Sequence, residues 1–175
     1  HLAHRRQRQM CIRDSVDSPS DIDTSLPVIY KLSQDILNST FTIAHTYISR
    51  DFDNDNNRIS DMVYDSRNGT IYAAVNVDVS TDGITNWEWG LLKIRDVGGV
   101  LTTDIAYTHQ FQDTALRGTN NYVKSIKINN DATPTIYMSG YVDEYQYAVI
   151  QIRESNNEIT VLSERTKLDI QPPRY

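Results

Sequence analysis

The stretch Asp51-Phe52-Asp53-Asn54-Asp55-Asn56-Asn57-Arg58-Ile59-Ser60-Asp61 has the residue types that hold a hard cation. Calcium takes roughly six to eight oxygen ligands, and acids alternating along a tight loop can turn several carboxylates inward. Asp53, Asp55, Asn57 and Asp61 stand at positions 1, 3, 5 and 9 of such a loop. An EF-hand fits less well, because position 12 counted from Asp51 is Met62 rather than an acid. The plainer reading is an exposed turn, since Asn and Asp tolerate tight and left-handed backbone. The matching stretch further on, Gly118-Thr119-Asn120-Asn121, carries no acid, and that favours the turn.

Trp87 and Trp89 are the other residues that could do recognition chemistry. An exposed indole beside Asn and Asp can stack on a sugar ring, because it joins an apolar face to an N–H donor. Trp87 falls in a long hairpin tip and is the freer of the two, a ligand contact or a loop residue folded onto its sheet. Trp89 matches Tyr147 in the internal alignment and is expected to pack between sheets. His45 and His109 come from matching strands and lack a third metal ligand, so they are expected to be partly exposed strand histidines. No G-x-S-x-G, H-E-x-x-H, Walker loop or G-x-G-x-x-G occurs. Carboxylate pairs are abundant in so acidic a chain and do not by themselves indicate hydrolysis. Asn38-Ser39-Thr40 and Asn68-Gly69-Thr70 match the glycosylation pattern, which chance also produces in Asn-rich sequence.

The first fifteen residues, HLAHRRQRQMCIRDS, differ in character from the rest: they hold four Arg, two His and the single Cys. The string resembles translated sequencing-adapter sequence of the kind found at the ends of metagenomic sequences. It lacks the apolar centre of a secretory signal and is too short and polar to span a bilayer. Residues 1–15 are therefore expected to be disordered and foreign to the fold, with a larger parent protein implied. The whole chain of 175 residues has 17 basic and 23 acidic side chains; setting aside Arg5, Arg6, Arg8, Arg13 and Asp14 leaves 13 against 22, net −9. Phosphate binding needs clustered Lys and Arg, so a nucleic-acid partner is not expected. The same acidity opposes an electrostatic membrane anchor, and no apolar run is long enough for membrane insertion. With Cys11 set aside there is no disulfide framework or thiol nucleophile, which leaves the redox compartment open.

What positions these residues is an internal repeat. One copy runs from Arg58 as RISDMVYDSRNGTIYAAVNVDV, then a loop, then EWGLLKIRDVGGVLTTDIAYTH. A second runs from Tyr122 as YVKSIKINNDATPTIYMSGYVDEY, then QYAVIQIRESNNEITVLSE. The offset is 64 to 65 residues early in the unit and 58 later, the difference lying in the longer tip of the first copy. A truncated third copy, VIYKLSQDILNSTFTIAHTY, lies upstream and sets Lys31 on Lys93 without a gap. In the first full copy four strands are expected near 58–65, 70–78, 88–96 and 100–107, separated by the turn signals Arg67-Asn68-Gly69, Thr81-Asp82-Gly83 and Val97-Gly98-Gly99. The outer two alternate apolar and polar residues. The middle two are more continuously apolar, as in Ile71-Tyr72-Ala73-Ala74-Val75 and Leu91-Leu92-Lys93-Ile94, which is how strands buried on both faces read. No capped 3.6-residue period appears, so helix is expected to be minor.

Four antiparallel strands per repeated unit is the pattern of a β-propeller blade. Ile136-Tyr137-Met138-Ser139-Gly140 followed by Tyr147-Ala148-Val149-Ile150-Gln151-Ile152 resembles the bacterial beta-propeller repeat, whose G-N-I-Y-V-T-G segment precedes D-Y-x-x-x-K-Y-D-x-x-G. Gly69-Thr70-Ile71-Tyr72-Ala73-Ala74 is similar, with Val75 in place of the glycine. The acidic stretch resembles the calcium hairpin of integrin-type FG-GAP propellers, with Asn56 and Arg58 where those favour glycine.

These resemblances imply an all-β partial propeller. Its parts are a linker at 16–27, the C-terminal half of a blade at 28–47, blades at 58–109 and 122–164, and a tail or truncated next blade at 165–175. They also imply a secreted, periplasmic or cell-surface bacterial protein. The leading functional expectation is a non-enzymatic scaffold or interaction module, with a protein or carbohydrate ligand and the remaining blades of the same protein as partners. Two alternatives stand beside it: a fragment of a propeller glycoside hydrolase or lyase whose catalytic residues lie on missing blades, and a calcium-stabilised adhesin-like propeller. No catalytic residue or cofactor other than calcium is assigned.

Overall fold

A computed structural model describes residues 28–35, 40–48, 51–52, 56–80, 86–112, 120–129, 131, 133–143 and 146–167. The segments expected as foreign sequence and linker, residues 1–27, lie outside these residues, as do 168–175. The described chain is all-β, with no helix: ten strands form three antiparallel sheets of 2, 4 and 4 strands. The first is a hairpin of β1 (Val28–Asp35) and β2 (Thr40–Ile48). The second runs in the order β3 (Arg58–Asp65), β4 (Thr70–Asp78), β5 (Trp87–Val97), β6 (Val100–His109). The third runs β7 (Tyr122–Ile128), β8 (Thr135–Val142), β9 (Gln146–Ser155), β10 (Glu158–Lys167). The last strand thus continues past residue 164, where the second unit was expected to end.

The tight turns follow from residues that accept positive φ. Val97 pairs with Val100 across Gly98 (φ 62°) and Gly99 (φ 97°), and Ser155 pairs with Glu158 across Asn156 (φ 53°) and Asn157 (φ 64°). Two-residue hairpin turns of this type carry left-handed backbone at both positions, which matches strand twist, and Gly and Asn are the residues that accept it cheaply.

The register irregularities fall at positions that the sequence alignment pairs. Between third and fourth strands they lie at Lys31/Leu32, Lys93/Ile94 and opposite Gln151 and Ile152. Between first and second strands they lie at Ile59/Asp61 and Val123/Ser125. Gly140 sits opposite the second of these: a Cβ there would lie 2.1 Å from the Tyr122 carbonyl oxygen, so the close approach of β7 demands glycine.

The sheets pack face to face. Side chains alternate along a strand, so each inner strand offers two faces. Ile71, Ala73, Val75 and Val77 of β4, with Leu92 and Ile94 of β5, pack on Ile29 and Tyr47 of the hairpin. The alternate residues Tyr72, Ala74, Trp89 and Leu91 pack on Ile126, Ile136, Met138, Val142, Ala148, Ile150 and Ile152 of the third sheet. Both faces of β3–β6 are therefore covered, which is why β4 and the Trp87–Ile94 part of β5 are buried at nearly every position. Each fully buried Leu or Ile contributes about 1.5–3 kcal/mol. In β8 and β9 buried and open positions alternate, because only one face of β7–β10 is covered.

Candidate functional site

The acidic stretch leads into β3. Asp53 and Asp55 lie outside the described residues. Asn57 is buried, and its Oδ1 accepts the Asp78 N–H at 2.9 Å. Asn121, its match in the third sheet, accepts the Asp143 N–H in the same way at 3.2 Å. Asp61 flanks the β3 irregularity: Oδ1 accepts the Met62 N–H at 2.9 Å, and Oδ2 accepts the Ile126 N–H at 3.0 Å and the Ser125 hydroxyl at 3.1 Å. Asp51 accepts hydroxyl hydrogen bonds from Tyr47 and Thr103, both at 2.8 Å. The described acids of this stretch therefore tie strands and sheets together. Among the described residues no group of three or more His, Cys, Asp or Glu converges as a metal centre does.

The two tryptophans occupy different contacts. Trp87, expected in the hairpin tip, is instead the first residue of β5 and is 5% exposed. Its carbonyl accepts the Asn121 N–H at 3.0 Å, the Arg58 guanidinium lies 5.4 Å from its ring centre, and the Tyr122 ring lies 6.0 Å away. Pairing with Asp78 draws it into the sheet. Trp89 packs between sheets as its alignment predicted: it is fully buried, meets Phe111 edge-on at 5.2 Å, and donates Nε1–H to the Tyr141 carbonyl at 3.2 Å.

The histidines divide. His45 is half-buried, as expected. His109 is not partly exposed but buried, at the end of β6 against β10. Its Nε2 lies 3.1 Å from Glu164 Oε2, its Nδ1 lies 3.0 Å from the Tyr107 hydroxyl, and Phe111 stands edge-on at 4.6 Å. The Gln112 N–H reaches both carboxylate oxygens of Glu164 at 3.1 Å. Burial pushes His109 below its ordinary pKa, against the opposing pull of Glu164. The neutral ring then donates Nε2–H to Glu164 and accepts the Tyr107 hydroxyl at Nδ1. Burial and Glu164 both raise the Tyr107 pKa, so its hydroxyl stays protonated at neutral pH. An activated nucleophile needs the opposite shift or a base free to take its proton. The Tyr107–His109–Glu164 chain is thus built as a hydrogen-bonded tie between sheets.

A second kind of tie was missed at the level of sequence. Lys31 on β1 forms an ion pair with Asp96 at the end of β5. Lys93 on β5 pairs with Glu154 on β9 at 3.0 Å and lies 3.4 Å from Asn157 Oδ1. The two lysines match in the alignment, and so do the two acids. All four side chains are largely buried, where a charge persists only if it is paired. The available signal was a lysine at the same place in two apolar strands, Tyr30-Lys31-Leu32 and Leu92-Lys93-Ile94.

No family model, no curated protein and no solved structure matches the chain. The polar chemistry described above therefore stands on its geometry, and that geometry lies in the contacts between sheets.

Proposed function

We propose that this chain is a segment of a β-propeller serving as a non-enzymatic scaffold or interaction module of a larger secreted or cell-surface bacterial protein. The observation that carries the reading is the recurring ion pair, Lys31 to Asp96 and Lys93 to Glu154, at two successive sheet contacts. A contact that repeats in kind and position is what a radial array of like units requires, each unit meeting only its neighbours. The cellular setting rests on the resemblance of 28–164 to bacterial propeller repeats. Ties such as Asp61 to Ile126 and His109 to Glu164 give many of the polar side chains packing duties, which favours the scaffold over a hydrolytic role.

Electron microscopy of the protein encoded by the uninterrupted reading frame tests this. A closed ring of about four to eight blades is expected; an open, uncurved stack of sheets would overturn it.

A further inference from the structure

The contact between the second and third sheets holds three groups whose spacing permits a reaction. Lys93 Nζ lies 3.0 Å from Glu154 Oε2 and 3.4 Å from Asn157 Oδ1. The other oxygen of Glu154 accepts the Asn157 N–H at 3.1 Å, so one carboxylate holds both the amine and the residue that carries the amide. The side chains of Lys93 and Glu154 are 10% and 13% exposed, and Lys93 stands opposite the buried Tyr72 in register. Asn157 sits in the exposed β9–β10 turn.

The matching contact between the first and second sheets has a different third member. Lys31 pairs with Asp96, and Asp96 accepts the Gly99 N–H at 3.0 Å as Glu154 accepts that of Asn157. Gly99 holds the place of Asn157 in its turn but offers no amide. The turn asks only for a residue that accepts positive φ. Asn157 meets that need and also brings a carboxamide to the lysine of the neighbouring sheet.

We propose that Lys93 and Asn157 form an amide cross-link between the second and third sheets, with Glu154 carrying the proton. A lysine amine becomes a nucleophile when a neighbouring base takes its proton. Glu154 stands within the roughly 2.6–3.2 Å that such a transfer needs. Passing the proton inside the pair leaves two neutral groups, which a largely buried contact accommodates better than separated charges. Asp104, the other acid near Lys93 at 3.8 Å, is itself paired with Arg95. Asn157 Cγ is one carbonyl bond beyond Oδ1, hence within about 5 Å of Nζ, and a small side-chain rotation brings the two to the roughly 3–3.5 Å of a near-attack pair. The amine lone pair then makes the Nζ–Cγ bond, and the Cγ–Nδ2 bond breaks with its electron pair on nitrogen. Of the two protons that Nζ sheds, one goes to the departing nitrogen, which leaves as ammonia, and the other stays on Glu154. Charge is conserved and nothing is oxidised or reduced. The exposed turn gives the ammonia an exit. The cross-link needs only the contact of these two sheets, so it stands or falls apart from the closure of a ring.

Mass spectrometry of the purified full chain tests this. The intact protein is expected to be one ammonia lighter than its sequence. Trypsin should then fail to cut after Lys93 and release a branched peptide joining residues 68–95 to 154–165. A chain at its full sequence mass would overturn the proposal. So would an ammonia loss confined to linear peptides, because cyclisation of an asparagine, as at Asn68-Gly69, also expels ammonia. Asn157→Gly copies the turn of the first contact and should keep the fold while returning to its full sequence mass. Glu154→Gln, with its strands checked by circular dichroism, should also stay unlinked, and a link formed in it would overturn the role of Glu154. If that variant does not fold, Glu154→Asp takes its place: it keeps a carboxylate and should link, and a folded, unlinked Asp variant would overturn that role in the same way.

Discussion

The sheets β3–β6 and β7–β10 share strand order, irregularities and the asparagine that holds the second strand's end, yet their inner strands live in different solvents. In the first, both faces of β4 and β5 are covered, and burial runs on without alternation from Thr70 to Val77 and from Trp87 to Ile94. In the second, one face is open, and the same positions carry Ser139 for Ala74, Gln151 for Lys93 and Tyr147 for Trp89. A common backbone plan thus tolerates either composition, and the neighbour decides which is used.

The sharpest way to break this comparison is to cut the apolar side chain at the matching place on both sheets. Leu91→Ala, in the covered sheet, should cost about 2–5 kcal/mol. Val149→Ala, at the matching but open place, should stay within about 0.5–1 kcal/mol. Urea unfolding of both variants measures the gap, and similar losses would mean that the outer face of β7–β10 is covered in solution. Next in size is Glu154→Gln, which strips Lys93 of its nearest acid. Breaking a largely buried pair from one side costs on the order of 3 kcal/mol, though Asp104 at 3.8 Å from Lys93 will soften the loss.

Acid should act on the contact between the sheets first. The pKa of His109 is depressed below 6.5 in the fold, so below that value the unfolded chain binds a proton that the folded chain does not. Stability is then full above about pH 6.5 and declines as pH falls below it. Asp65, held low by the Arg67 guanidinium, adds a second decline under its ordinary 3.8. Melting temperature against pH should show both steps, and His109→Gln should remove only the upper one.

The smallest effects separate the paired tyrosines. The Tyr72 hydroxyl is buried without a hydrogen-bond partner among the described residues, and burial pushes its pKa up to about 12. Tyr72→Phe should be neutral or stabilising by up to about 1 kcal/mol, while Tyr137→Phe, which strips Gln151 of its acceptor, should cost about 1 kcal/mol. Tyr72→Phe should also remove a loss of stability above pH 10, where the unfolded chain releases a proton that the folded chain keeps.

Much of the architecture was legible because strand structure is local. The expected strands 58–65 and 70–78 coincide with β3 and β4, and the third and fourth fall within one or two residues at each end. Apolar runs against alternation also foretold which strands have both faces buried. What could not be read were contacts between sheets. Nothing near His109 announces Glu164, which lies 55 residues away on another sheet. Trp87 looked like a loop residue because its strand partner, Asp78, lies across a tip whose length hides the register. The part Asn57 plays in the fold had no local signature either, because its side-chain carbonyl satisfies the N–H of Asp78, 21 residues away.

Every strand pairing described joins consecutive strands, from β1 with β2 through β9 with β10. The consequence is kinetic. Loop entropy is spent in small steps, so each sheet can form before the next has left the ribosome. Its exposed face then waits only for the following sheet, and the order of synthesis becomes the order of assembly.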